Sequence, residues 1–551
     1  MHQPYYLDRE TDQYQLPWTY LHAIKDYVDM AAIIEETPGA RAVVNFAPTL
    51  LEQIEDYAGQ ARSYLNEGTP LRDPLLAALV MPALPTAPLP RQMLVKACLR
   101  ANRRRLIDRF PHFRMMADLA SSITTDPEAI HYFDQQFLVD LVVWYHLAWM
   151  GETVRRKDAR VMTLMSRARL FNHQDRRLLL EIITELLEGV TGRYRRLSEQ
   201  GRVELSVTPY AHPILPLLLD MESAREAMPD IKMPTNTRYP GGTARARWHI
   251  KEGIRVFERF FGCRPTGCWP AEGSVSRAAL ELLGESGFLW AASGGAVLKN
   301  SLHRAGVHDP GCIHRSYQLP TADIGCFFRD DGLSDLIGFT YSDWHADDAV
   351  GNLVHHLENI AAACGETEGR VVSIILDGEN AWEYYFENGL HFLKALYARL
   401  AAHPKLRLTT FSEFMANEPE QRELQELVAG SWVYGTFSTW IGDPDKNRGW
   451  DLLCEAKQAF DRVVASGRLT GDALLKAERQ LAICEGSDWF WWFGDYNPSE
   501  SVQDFERLYR MHLADLYRLI GESVPEHLSH TISMGGGNPQ MGGVMRRGQE
   551  G

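Results

Sequence analysis

The stretch 371-VVSIILDGENAWEYY-385 decides the fold. Six residues of β-type sequence, Val371 to Leu376, run straight into Asp377, Gly378 and Glu379. An apolar run of that length, bounded by a turn signal, fits a strand buried on both faces. Gly378 permits a sharp turn, and Glu379, Asn380 and Trp382 crowd the loop beyond it. Polar residues at the end of a buried parallel strand are where barrels assemble active sites. The other use for Asp377 is to cap the helix that follows.

The same arrangement recurs along the chain. "VELSVTPY" (203–210), "TGCWPAEG" (266–273), "GFLWAASG" (287–294), "IGCFFRDDG" (324–332) and "LRLTTFSEF" (406–414) each read as a strand ending in polar, Pro or Gly residues, with a helix beyond. Further upstream, "ARAVVNFAPTLLEQI" (40–54) reads as a strand, Ala42 to Phe46, passing into a helix at Thr49. Strands alternating with helices predict a parallel α/β sheet. From about 58 to 200 the texture is helical, as in "DQQFLVDLVVWYHLAWMG" (134–151), which reads as a helical insertion. Residues 416–527 are helical again, and 528–551, with "SMGGGNPQMGG", read as a disordered tail.

Composition narrows the function. A formal net charge of −15 disfavours nucleic acid or an anionic membrane as partner, since both need clustered Lys and Arg. No apolar run is long enough to span a bilayer and no secretion signal opens the chain, so a cytoplasmic protein is expected. Eight scattered Cys form no C-x-x-C pair and read as reduced thiols. His355, His356 and Glu358 suggest a metal at first glance, but no H-E-x-x-H pattern exists, and neither metal nor cofactor is expected.

Glu272 follows the strand of "TGCWPAEG", and Ser274 or Ser276 is placed to cap the next helix. Two carboxyl groups, one protonated and one ionised, are the minimum for cleaving a glycosidic bond. Like-charge repulsion and burial raise one pKa while hydrogen bonds hold the other group ionised. Asp377 with Glu379 beside it fits such a site.

Five segments together resemble glycoside hydrolase family 57, a family of α-glucan enzymes. They are "HQPYY" (2–6), "GRVELSVTPYAHPILPLL" (201–218), "GCWPAEGSV" (267–275), "LDGENAWEYY" (376–385) and, more loosely, "STWIGDPDKNRGWDLL" (438–453). Their wording is most similar to the amylopullulanase-like branch. The resemblance implies an incomplete seven-stranded (β/α) barrel over 1–415, including the insertion, and a helical domain over 416–527 that closes the cleft. It implies a retaining glycoside hydrolase that cleaves α-1,4 bonds of glycogen or starch through a covalent intermediate, without a metal, with α-1,6 bonds as a further target. A 4-α-glucanotransferase with the same pair is the alternative, and an impaired glucan-binding protein is another.

By the same resemblance, the nucleophile falls on Glu272 and the general acid/base on Asp377. The substrate-binding candidates are His2, Glu204, His212, Trp269, Glu379, Trp382 and Trp440, although Arg202 stands where the second region usually has Gln. The family's first region usually follows an apolar strand and reads His-x-His-Gln-Pro. His2 is the second of those His residues, so the resemblance places a strand and the first His before Met1. Either the start is assigned too late or the enzyme is shortened. Arg329, Asp330 and Asp335 read equally as residues orienting the nucleophile or as a structural ion-pair network, and Trp489, Trp491 and Trp492 read as a helix packed on the barrel, with an outer sugar platform as the alternative.

Overall fold

The computed structural model describes residues 1–308, 311–365, 369–537 and 545. Its centre is a seven-stranded sheet made of β1 (Ala42–Phe46), β2 (Val203–Val207), β3 (Gly267–Cys268), β4 (Trp290–Ser293), β5 (Tyr317–Gln318), β6 (Gly325–Phe328) and β7 (Arg422–Glu423). The spatial order is β1-β2-β3-β4-β6-β5-β7, parallel throughout except for the β5–β6 pair. The parallel strands are joined by helices, as such connections require. β7 lies beyond residue 415, so the sheet's hydrogen bonding runs into the region expected to be purely helical.

Local signals set the helix limits. The helix Pro48–Glu67 starts on a proline, whose missing N–H is no loss in a first turn, and ends at Gly68 with φ 77°. The 27-residue helix His173–Glu199 carries a reciprocal cap, Asn172 to the backbone of Asp175 and Asp175 back to Asn172. Only helices lie between β1 and β2, as the insertion reading expects. Four α-helices between Pro444 and Leu519 complete the C-terminal region.

Two expected strands are absent. Val371–Leu376 runs extended beside β6 but makes a single bridge, Ser373 to Arg329. Side chains take over its remaining pairing: the Arg329 guanidinium donates to the Ile375 carbonyl at 2.9 Å, and the Ile375 N–H donates to Ser334 Oγ at 3.2 Å. "LRLTT" leads without pairing into the helix Phe411–Asn417. Phe411 turns inward, stacks on Phe327 and meets Trp290 edge to face, with ring centroids 4.2 and 4.6 Å away. The helix therefore plugs the end of the barrel where the strands begin. Apolar pattern announced both segments as buried but could not separate a strand from a buried plug.

Two further expectations are corrected. Cys312 and Cys364 form a disulfide, so the thiols are not uniformly reduced, while Cys98, Cys263, Cys268, Cys326, Cys454 and Cys484 are free. Residues 528–537 are not a loose tail. Leu528 and Ser533 are buried, and the N–H groups of Gly536 and Gly537 bond to the Asn497 carbonyl. Residues 538–551 of the expected tail, apart from Met545, lie outside the described residues. Among the described residues no helix is long and apolar enough to cross a membrane.

Candidate active site

Glu272 sits just past β3, in a short turn between Ala271 and Gly273. Its backbone has φ 58° and ψ 23°, the left-handed region that costs a side-chain-bearing residue free energy. Surrounding bonds hold it there. The Ser293 hydroxyl donates to the Gly273 carbonyl at 2.6 Å, and Val275 bridges Gly430. The Trp432 N–H donates to the Glu272 carbonyl at 3.0 Å. Trp432 then turns its indole onto the side chain, with Nε1–H donating to Glu272 Oε2 at 2.9 Å. Gly294 allows this approach, since a Cβ there would lie 2.5 Å from the Trp432 backbone. Ser276, not Ser274, caps the following helix.

Asp377 ends the extended segment and accepts from Asn380 Nδ2 at 3.1 Å. It is not a helix cap: the next helix, Asn380–Glu383, starts from Glu379 with no side-chain cap. The two carboxyls feel each other. Burial pushes Glu272 up to about 8, with the Asp377 charge adding to it and the Trp432 N–H and His2 opposing. Burial also pushes Asp377 up, to about 6, with Glu379 adding and Asn380 opposing. Asp377 thus has two acidic neighbours, Glu379 and Glu272, and the larger rise of the pair falls on Glu272. Between about pH 6 and 8 the pair therefore holds one proton.

Two histidines lie over Glu272. His212, also in left-handed backbone at φ 59°, lies with Nδ1 4.0 Å from Glu272 Oε1. The ring of His2 stacks on it, centroids 3.6 Å apart and planes within 9°. His2 Nε2–H donates to Asp488 Oδ1 at 2.7 Å, and His212 Nδ1 pairs with Ser487 Oγ at 2.7 Å. Burial alone would lower the His2 pKa, but the charge and hydrogen bond of Asp488, with Glu272 and Glu379, leave it raised. Burial and the His2 charge hold His212 well below its usual value. The surroundings thus favour the charged form of one stacked ring and the neutral form of the other. His2, His212 and Asp488 are the groups a cation would meet in the cleft, with potential ligand atoms within 4.8 Å of one another. The structure ties them to each other and to Ser487 instead. The other such group, Cys312, His314 and Cys364, has two members joined as the disulfide.

The remaining candidates divide. Trp269 stands beside the site, edge to face with Trp432 at 5.4 Å. Glu379 is buried and acts on the chain: it accepts from the His2 backbone N–H at 2.9 Å and the Tyr27 hydroxyl at 2.5 Å. Glu204 lies near the start of β2, at the plugged end. There it accepts from Trp290 Nε1 at 2.7 Å and from the Ser412 N–H at 3.0 Å, which ties strand to plug. Trp382 is buried against Tyr385 and Phe392, and Trp440 is fully enclosed beside Trp491. For Glu204, Trp382 and Trp440 the substrate-facing expectation is corrected to a packing role.

Sequence reasoning missed Trp432, Ser487, Asp488 and Tyr27. Trp432 was legible only as one ring in "GSWVYGTFSTW", and Trp440 in the same stretch drew the assignment. Trp489, Trp491 and Trp492 are buried, as expected of a packed helix, and the Asp that heads them is the functional residue. Arg329 pairs with Asp331 and Asp335 at 3.0 and 2.8 Å, as the ion-pair reading expects, and its guanidinium lies 5.5 Å over the Trp432 ring.

The model of glycosyl hydrolase family 57 matches residues 1–427. The chain belongs to glycosyl hydrolase family 57. It is an enzyme of the glycoside hydrolase or transferase kind. Solved structures share the fold at low identity. A family 57 branching enzyme from Thermococcus kodakaraensis, in complex with glucose, is 14% identical with a TM-score of 0.59, covering 94% of this chain and 88% of that one. The α-amylase AmyC from Thermotoga maritima is 14% identical with a TM-score of 0.57, covering 94% and 91%. A branching enzyme from Pyrococcus horikoshii is 14% identical with a TM-score of 0.54, covering 96% and 94%. The fold is thus the family's barrel with a helical C-terminal region, and Trp432, Ser487 and Asp488 lie beyond the part that the family model matches.

Proposed function

We propose that this family 57 enzyme cleaves α-glucosidic bonds of glycogen- or starch-type glucans with retention, Glu272 attacking the anomeric carbon and Asp377 protonating the leaving oxygen. The observation that carries the reading is the buried Glu272–Asp377 pair with one proton between them. In the empty cleft that proton rests on Glu272. A sugar bound with its glycosidic oxygen against Asp377 offers the acceptor that draws the proton there. The Trp432 N–H, and the His2 charge when that ring is protonated, favour the ionised form of Glu272. After attack, ionised Asp377 takes a proton from the incoming hydroxyl and the covalent bond to Glu272 breaks. The relatives named above as an amylase and branching enzymes supply the substrate class.

Transfer to a sugar hydroxyl is the second reading. It is favoured by the enclosure of the Glu272 side chain, which is 13% exposed, because a dry intermediate waits for a sugar acceptor. Chromatography of products from maltoheptaose decides between them. Glucose and maltose without longer chains mean hydrolysis, products longer than the substrate or branched mean transfer, and unchanged maltoheptaose defeats both.

The shared proton sets the pH response. Below about pH 6 both carboxyls are protonated and no nucleophile exists. Above about pH 8 both are ionised and no acid exists. We expect kcat/KM to form a bell with limbs near these values. A profile flat from pH 5 to 9 would remove the shared-proton description.

A further inference from the structure

We infer that Trp344, Tyr384 and Phe386 form a glucan-stacking platform outside the catalytic cleft, which makes long polymeric chains the substrate class. This rests on the α-glucan reading above. Of 14 Trp, 21 Tyr and 22 Phe, four are exposed: Tyr132, Trp344, Tyr384 and Phe386. Chance would scatter them, yet three fall on two neighbouring loops. Tyr384 and Phe386 follow Asp377 on its own loop, and residues 341–343, just before Trp344, pack against residues 386–389. Their exposures, 47% for Trp344, 43% for Tyr384 and 57% for Phe386, leave ring surface open to solvent.

The platform has a rigid floor. Tyr341 meets Trp344 edge to face at 5.3 Å and lies 6.1 Å from Phe392, and Phe392 packs on Tyr385 at 5.2 Å. The Tyr385 hydroxyl donates to the Ile337 carbonyl at 2.7 Å and fixes the loop that carries Tyr384 and Phe386. The helical insertion pins the edges. Arg109 lies 5.7 Å from the Phe386 ring and bonds Glu387 at 3.1 Å, and Arg105 bonds Asp343 at 2.7 Å. Charges of both signs are paired there, so the surface suits a neutral polyhydroxylated chain rather than an ion. Large aromatic faces held open on a stiff base match the apolar faces of pyranose rings. Along the chain, little more than the short helix Asn380–Glu383 separates Asp377 from Tyr384 and Phe386.

The test is affinity electrophoresis through glycogen with the full chain made inactive by Glu272→Gln, so that binding is read without turnover. Adding Trp344→Ala and Phe386→Ala together should weaken glycogen binding about tenfold, from two lost stacking contacts. Trp344→Phe with Phe386→Tyr should restore it, and Tyr132→Ala should leave it unchanged. Circular dichroism melts confirm that the double variant folds, and the aromatic exchange keeps the test valid if it does not. Undiminished retardation of the folded double variant, equal loss with Tyr132→Ala, or self-association that disappears with Phe386→Ala overturns the platform while leaving the α-glucan reading intact. If the inactive parent binds neither glycogen nor maltoheptaose, that reading falls and the platform with it.

Discussion

Glu272→Gly is expected to lose turnover by roughly four orders of magnitude, about 5.5 kcal/mol of transition-state stabilisation, and yet to melt above the parent enzyme. The two effects have one origin. Glu272 occupies left-handed backbone that glycine accepts freely, a strain of about 1–3 kcal/mol. It also holds a carboxyl in a site that burial makes hostile to its charge. Removing the side chain relieves both and deletes the nucleophile. Azide added to the variant should restore cleavage of an activated α-glucosyl substrate and give a product of inverted configuration, because a small anion fills the vacated space and attacks once. Turnover above about one per cent of the parent, or a rescued product of retained configuration, would remove Glu272 from the role of nucleophile.

Asp377→Ala is expected to separate substrates by leaving group. Cleavage of maltooligosaccharides, whose sugar leaving groups need a proton, should fall about a thousandfold, within the usual range of general-acid catalysis. Cleavage of α-glucosyl fluoride, which leaves without one, should fall far less in the first step. The alkaline limb of the pH profile should vanish with the acid. A uniform loss across both substrates would show Asp377 to be a packing residue. Both variants are read best by burst kinetics, which separate attack from release.

Much of this was legible because buried strands announce themselves. The runs ending at Thr208, Trp269 and Arg329 were read as strands and are strands, and each places a polar or aromatic group at the site end. Asp377 stood out because it ends a six-residue β-type run, whereas Glu272 alone reads as a solvated or capping carboxylate and was singled out only by the family resemblance. Side-chain direction was less legible. Glu204 sits on a correctly read strand but near its beginning, where Trp290 and Ser412 consume its oxygens. Trp440 and Trp432 lie eight residues apart in the same aromatic stretch, and only tertiary packing decides which indole reaches a carboxylate. Asp488 was hidden for the same reason: its partner, His2, lies at the other end of the chain. The disulfide joins Cys312 and Cys364 across a separation of 52 residues that no spacing rule flags.

The grip of Ser487 and Asp488 on the stacked histidines has a consequence during synthesis. A chain emerging from the ribosome presents Glu272, then Asp377, long before it presents the two residues that hold the histidines over Glu272. At ordinary elongation rates the interval is on the order of ten seconds. Throughout it the barrel can pack around its aromatic plug while the rings of His2 and His212 lack their anchors. The two rings are therefore fixed over Glu272 only when nearly the last helix is made. A fragment cut anywhere before residue 487 would lack those anchors, however well its sheet had formed.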